Sequence, residues 1–141
     1  MKFYEIKEDL FNTPSTYALV HCISKDCGMG AGIAVQFNKK FKLKMPLLAR
    51  NPQVGQAVMY QTDSRTVFNL ITKQNYWHKP TYATLLKTLE DMREQVVKHD
   101  IKQIAMPKIG CGLDKLEWHM VRKLIEDVFR DVDVEIKICY L

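Results

Sequence analysis

Tyr17-Ala18-Leu19-Val20-His21-Cys22-Ile23, followed directly by Ser24-Lys25-Asp26-Cys27-Gly28-Met29-Gly30-Ala31-Gly32-Ile33-Ala34, is the stretch on which the fold turns. A nearly continuous apolar run of this length has the character of a strand covered on both faces, as parallel sheets in α/β proteins require. Three alternating glycines then give way to a helical pattern that runs through Phe37 and Phe41. The stretch reads as strand, glycine loop, helix.

The same unit recurs downstream. Gln103–Met106 has strand character and runs into Pro107-Lys108-Ile109-Gly110-Cys111-Gly112-Leu113. A helix follows, with Met120, Val121, Leu124, Ile125, Val128 and Phe129 expected on its buried side. Between the two units, Gln56–Tyr60 and Arg65–Ile71 read as a hairpin closed by Gln61-Thr62-Asp63-Ser64. From Thr81 to His99, apolar residues at three- and four-residue steps (Tyr82, Leu85, Leu86, Leu89, Met92, Val96, Val97) predict a long amphipathic helix, with Pro80 where a helix start tolerates it. Tyr4 and Ile6 alternate with charged neighbours as a first strand would, and Val134–Tyr140 alternates as a last one. Lys42–Pro52 reads as an irregular connection with a helical turn at Pro46–Ala49. Strands alternating with helices predict one α/β domain over residues 1–141, a three-layer α/β/α fold on a mixed sheet of about six strands. In such sheets ligands bind at the carboxyl ends of strands beside helix amino termini, where both glycine loops lie.

Composition narrows the classes. With 47% hydrophobic and 26% charged residues the chain is expected to be ordered nearly throughout, and no apolar stretch approaches a bilayer span. The segment Met1–Asp9 has no apolar core of the secretory kind, so an intracellular protein (cytoplasm or nucleus) with no membrane partner is expected. Cys22, Cys27, Cys111 and Cys139 are expected to be reduced thiols, since a chain this long can build a core without disulfides. Neither they nor His78, His99 and His119 have zinc-site spacing, so no metal is expected. A net charge of +5 suits an anionic ligand or partner, a phosphorylated metabolite or nucleic acid alike, while Lys39, Lys40, Lys42 and Lys44 read as solvated surface.

Glycines without Cβ let a backbone turn sharply and bring N–H groups to a bulky anion, and the helix that follows adds its partial positive charge. Either loop alone could serve turn geometry only. Two such loops, without a Walker lysine-serine sequence or a G-x-G-x-x-G, point to a diphosphate held in a less common way.

His21–Ala34 and Met106–Asp114, with Leu70-Ile71-Thr72-Lys73 and His78-Lys79-Pro80-Thr81-Tyr82, strongly resemble the macrodomain family, in particular its terminal ADP-ribose protein glycohydrolase branch. The likeness runs nearly end to end. It implies that Ser24, Gly28, Met29, Gly30, Ala31, Gly32 and Ile33, with Ile109, Gly110, Cys111, Gly112 and Leu113, hold the diphosphate and distal ribose of ADP-ribose. It implies further that Asp9, beside Leu10, recognises the adenine amino group, and that Tyr140 and Leu141 flank the adenine. In that branch a lysine attacks the anomeric carbon of the distal ribose and an aspartate assists, positions matched by Lys73 and Asp114. Other macrodomains carry asparagine where Ser24 stands, and use it to orient ribose and a water. Glu8 departs from a glycine common in the family, and Gln74-Asn75-Tyr76-Trp77 follows no consensus, so Tyr76 and Trp77 are rim candidates.

An ester between ribose and glutamate can open to an aldehyde, and an amine is the side chain that captures an aldehyde as a Schiff base. For attack Lys73 must be neutral, which requires a depressed pKa. The residues also support plainer readings. Asp114-Lys115-Leu116-Glu117 looks like a helix N-cap with its acidic partner three residues on. Asp9 could simply start a turn or short helix, Lys73 could be solvated surface, and Cys111 has no histidine at local spacing and reads as structural. The resemblance thus implies a hydrolase acting on ADP-ribosylated proteins at glutamate or aspartate, and on O-acetyl-ADP-ribose, as a monomer without cofactor. A non-catalytic ADP-ribose reader, or an antitoxin-like enzyme acting on ADP-ribosylated nucleic acid, are the alternatives.

Overall fold

The computed structural model describes residues 1–141. Strands β1 (Lys2–Lys7), β2 (Ala18–Ser24), β3 (Ala57–Gln61), β4 (Thr66–Lys73), β5 (Gln103–Met106) and β6 (Glu135–Tyr140) form one sheet in the order β1-β6-β5-β2-β4-β3. Every neighbouring pair is parallel except β3 with β4, the hairpin expected from the polar turn between them. Helices α1 (Ile33–Phe41) and α2 (Lys44–Ala49) cover one face, α3 (Tyr82–Lys98) and α4 (Trp118–Phe129) the other. The fold is the three-layer α/β/α arrangement on a mixed sheet of six strands. No helix is long and apolar enough to cross a membrane.

The alternation of side chains along β2 divides the core in two. Ala18 and Val20 join Leu85, Leu89, Met92 and Val96 of α3 and Val121, Ile125 and Phe129 of α4. Leu19 and Ile23 point the other way, toward Ala34 and Phe37 of α1 and Leu47 of α2. Thr81 starts α3 through a capping box with Thr84, each side chain receiving the other's backbone N–H, immediately after Pro80. Because β2 pairs in parallel with both β4 and β5, the carboxyl ends of the three strands come out side by side.

One core residue titrates. His21 is fully buried, stacks on Phe37 with ring centroids 3.8 Å apart, and donates from Nε2 to Asn69 Oδ1 at 2.6 Å. Asn69 in turn donates to the carbonyl of Val58 on the edge strand. Burial pushes the imidazole down to about 4. The unfolded chain takes up this proton near 6.5, so stability is fully present above that pH and falls toward 4, by roughly 3 kcal/mol from this group. Urea unfolding at pH 7 and pH 4.5 checks this: wild type is expected to lose more stability over that interval than His21→Gln, and equal losses would refute it.

Candidate active site

The first glycine loop leaves β2 at Ser24 and enters α1 through Gly32, whose φ of +62° requires glycine. The backbone N–H groups of Ala31 and Gly32 have no acceptor in the protein, and those of Ile33 and Ala34, in the first turn of α1, have none by helix geometry. In the second loop, Gly110 has φ +72°, and a Cβ there would lie 3.0 Å from Leu116 Cδ1. Beyond it the N–H groups of Gly112, Leu113 and Asp114 also find no acceptor. Two sets of free amides thus sit at the ends of neighbouring parallel strands.

On the other side of β2 from the second loop stands Lys73, the last residue of β4. The β2–β4 ladder slips there: Ile23 pairs with Ile71 but Ser24 with Lys73, leaving Thr72 as the extra residue. Such a bulge re-aims the side chain beside it. Lys73 Nζ donates to Asp114 Oδ1 at 2.7 Å, with side chains only 13% and 17% exposed. Asp114 is not the helix N-cap that its local sequence suggests. Helix α4 begins four places later at Trp118, its N-cap is Glu117, and no side chain caps it. A lysine 41 residues away in sequence takes the carboxylate that the helix does not use.

Both loops and the pair wall one cleft of about 760 Å³, a size typical of ligand sites. Of the residues expected from sequence, it brings together Ser24, Gly28 through Ile33, Lys73, Ile109, Gly110, Gly112, Leu113 and Asp114. Cys111 stays out of the lining and donates its thiol to the carbonyl of Ile109. Asp9, Leu10, Tyr140 and Leu141 also lie outside it. They group around the carboxyl ends of β1 and β6, where Glu8 N–H donates to the carbonyl of Tyr140. Lys108, a cleft residue, places its ammonium 5.2 Å from the Tyr140 ring and so joins the two regions. Leu10 is core, whereas Leu141 is almost fully exposed. A smaller cavity of about 330 Å³ opens at the opposite, amino ends of the strands, near Ala18, Thr66 and Gln103.

Asp9 does start a short helix: it caps the single turn Leu10–Asn12, its Oδ1 accepting from Phe11 N–H, while Oδ2 takes no hydrogen bond within the protein. Glu8 fills the place of the usual glycine by accepting from Lys137 Nζ at 3.0 Å and from the Thr13 hydroxyl. Sequence reading passed over Asp26 and Lys79. Asp26 accepts from the Ser24 hydroxyl and the Gly28 and Tyr76 N–H groups, and Lys79 Nζ donates across the cleft mouth to the carbonyl of Leu113 at 2.6 Å. Asp26 has a local signal in its Asp-x-Gly spacing, typical of an Asx turn. Lys79 has none.

All four thiols are pushed up by burial, Cys111 to about 11. The shift from 9.0 leaves Cys111 with about 100-fold less thiolate at neutral pH than a free cysteine. Alkylation by iodoacetamide at pH 7.5, mapped by peptide mass spectrometry, is expected to be slow at all four and fast only after unfolding in urea. A rapidly modified Cys111 in the folded protein would contradict this.

A mixed sheet between two helix layers, with paired loops of free amides at its carboxyl edge, defines a three-layer α/β domain with one cleft at the strand ends. The family model described as Macro domain matches residues 20–125, and the chain belongs to that family. It is 47% identical over 133 residues to ADP-ribose glycohydrolase OARD1 of Bos taurus, covering 94% of this chain and 88% of that protein. It is 23% identical to the DNA ADP-ribosyl glycohydrolase of Thermus aquaticus, over 91% of this chain and 38% of that protein. Among solved structures, the macrodomain of Mycobacterium tuberculosis DarG superposes with a TM-score of 0.89 at 22% identity, covering 99% of this chain and 97% of that one. The Thermosipho africanus DarTG in complex with ADP-ribose gives 0.86 at 19% identity, covering 98% of this chain and 41% of that one.

Proposed function

We propose that this protein is a hydrolase that removes mono-ADP-ribose from modified glutamate and aspartate side chains through a lysine-linked intermediate, with O-acetyl-ADP-ribose as a further substrate. The observation that carries the reading is the Lys73–Asp114 contact of 2.7 Å inside a cleft walled by free backbone amides. A reader that only held ADP-ribose would need the amides but not a largely buried amine and carboxylate in contact. The relative at 47% identity bears the name of an ADP-ribose glycohydrolase.

In this reading the two loops hold the diphosphate and turn the distal ribose toward Lys73. Asp9, through its unoccupied Oδ2, takes the adenine amino group, with Tyr140 and Leu141 beside the ring. Lys73 attacks as the free amine, its proton lost to solvent beforehand, so that Asp114 remains a carboxylate. The free amine forms a bond to the anomeric carbon as the bond from that carbon to the acyl oxygen breaks, its electron pair leaving on the glutamate carboxylate. Opening of the ribose ring, with one nitrogen proton passing to the ring oxygen, gives the Schiff base. Water adds to the same carbon, Asp114 takes its proton, and cleavage of the carbon–nitrogen bond returns the amine and free ADP-ribose. Incubation with glutamate-linked automodified protein tests this directly: release of ADP-ribose is expected, and tight binding without release would leave a reader instead.

A second reading is favoured by one observation, the exposed Tyr76–Trp77 pair at the cleft mouth, its rings 5.1 Å apart and edge to face beside Lys79. Exposed aromatic faces with basic neighbours suit stacked bases and phosphates, so ADP-ribosylated nucleic acid is a rival acceptor. Turnover on modified single-stranded DNA that falls steeply with salt would favour that reading. For a protein acceptor, activity is expected to change by less than about threefold between 50 and 200 mM salt, because few phosphate contacts are released.

A further inference from the structure

Lys73 stands where the strand ladder no longer dictates position. Beyond the slipped pair with Ser24, a single backbone hydrogen bond, from Lys25 N–H to the carbonyl of Lys73, continues the pairing. A flexible four-carbon arm on a strand end needs its root fixed if its amine is to meet one carbon of a bound sugar. The carboxylate of Asp26 ties together three segments near that root. Its Oδ1 accepts from the Ser24 hydroxyl and from Gly28 N–H at 3.1 Å, and its Oδ2 accepts from Tyr76 N–H at 3.1 Å. One carboxylate therefore joins the end of β2, the first glycine loop and the chain leaving β4. Gly28 is seated against the same segment, where a Cβ would meet Tyr76 Cβ at 3.1 Å.

We propose that Asp26 is a positioning residue that sets the approach of Lys73 by clasping the exit of β4 to the first glycine loop. The inference rests on the lysine-based reading above. All three partners are donors, so both oxygens must accept, which a carboxylate does and a carboxamide of the same shape cannot. Burial pushes the Asp26 carboxyl up, but the hydroxyl of Ser24 and the N–H groups of Tyr76 and Gly28 outweigh it and hold the group below the ordinary carboxylate range. The carboxylate is therefore ionised, and accepts all three hydrogen bonds, at neutral pH. A misplacement on the order of 1 Å can cost about 100-fold in rate, so the clasp acts on turnover rather than on nucleotide binding.

The test compares wild type, Asp26→Asn, Lys73→Ala and the double variant on glutamate-linked substrate, with calorimetry on free ADP-ribose giving the binding-competent fraction. Asp26→Asn is expected to lower kcat per competent molecule by about 10- to 100-fold, with ADP-ribose affinity changed by no more than about threefold. In the Lys73→Ala background the same substitution is expected to change nothing further, because its effect travels through the lysine. A purely structural role would instead reduce the competent fraction and lower both backgrounds equally. Should Asp26→Asn fail to fold, Tyr76→Pro, which deletes the donated N–H, is expected to lose more kcat than Tyr76→Ala, which keeps it. Wild-type kcat in Asp26→Asn, or equal losses in Tyr76→Pro and Tyr76→Ala, overturns the clasp alone. Absence of release by wild type overturns the lysine reading and the clasp with it.

Discussion

Lys73→Ala is expected to bind ADP-ribose within about tenfold of wild type and to lose turnover by about 10⁴-fold, the scale on which removal of a nucleophile acts. That loss corresponds to about 5.5 kcal/mol of transition-state stabilisation. Affinity is expected to survive because the reading proposed above assigns the diphosphate to backbone amides of the two loops, which have no acceptor in the protein and do not depend on the lysine side chain. The unliganded protein should be less stable, since the 2.7 Å contact vanishes and leaves Asp114 largely buried without its cation, at a cost of roughly 1–3 kcal/mol. ADP-ribose release followed by chromatography, with calorimetry on the same preparation, separates the two effects. A variant that binds and still turns over within tenfold of wild type shows that the amine is not the nucleophile.

Asp114→Ala is expected to stop the reaction halfway. The amine is still present to attack, but the group that would take a proton from the incoming water is gone, so the lysine-linked sugar accumulates. Steady-state turnover should fall by about 10²- to 10⁴-fold, the usual weight of a general acid–base group. The first turnover should appear as release of at most one equivalent of deglycosylated acceptor, with intact-protein mass rising by one ADP-ribosyl unit located on Lys73. Adding Lys73→Ala should erase that mass shift. A single variant that is slow yet never carries the adduct would place Asp114 in the attack step instead.

What the sequence disclosed and what it withheld follow from the range of the interactions involved. The strand, glycine loop and helix at Tyr17–Phe41 could be read because burial on both faces, backbone freedom and helical period are local properties. The core of α3, with Leu85, Leu89, Met92 and Val96, was legible for the same reason. Asp114 was the opposite case. Asp-Lys-Leu-Glu has the spacing of a cap, but a tertiary partner on β4 claims the carboxylate and the helix begins at Trp118 without it. Asp26 was half visible, since its bond to Gly28 spans two residues, while the bond to Tyr76 spans fifty and no periodicity announces it. Lys79 looked like any solvated lysine until the fold set it against the carbonyl of Leu113. Family resemblance, and not spacing, singled out Lys73.

Strand β6 lies between β1 and β5, so the earliest strand in the chain can join the sheet only through the latest. During synthesis the nascent polypeptide must therefore carry β1 and the Asp9 turn unmatched until Glu135–Tyr140 has cleared the ribosome, a demand of high contact order. Removing those final residues would expose two raw parallel edges at once, on β1 and β5, and so invite aggregation.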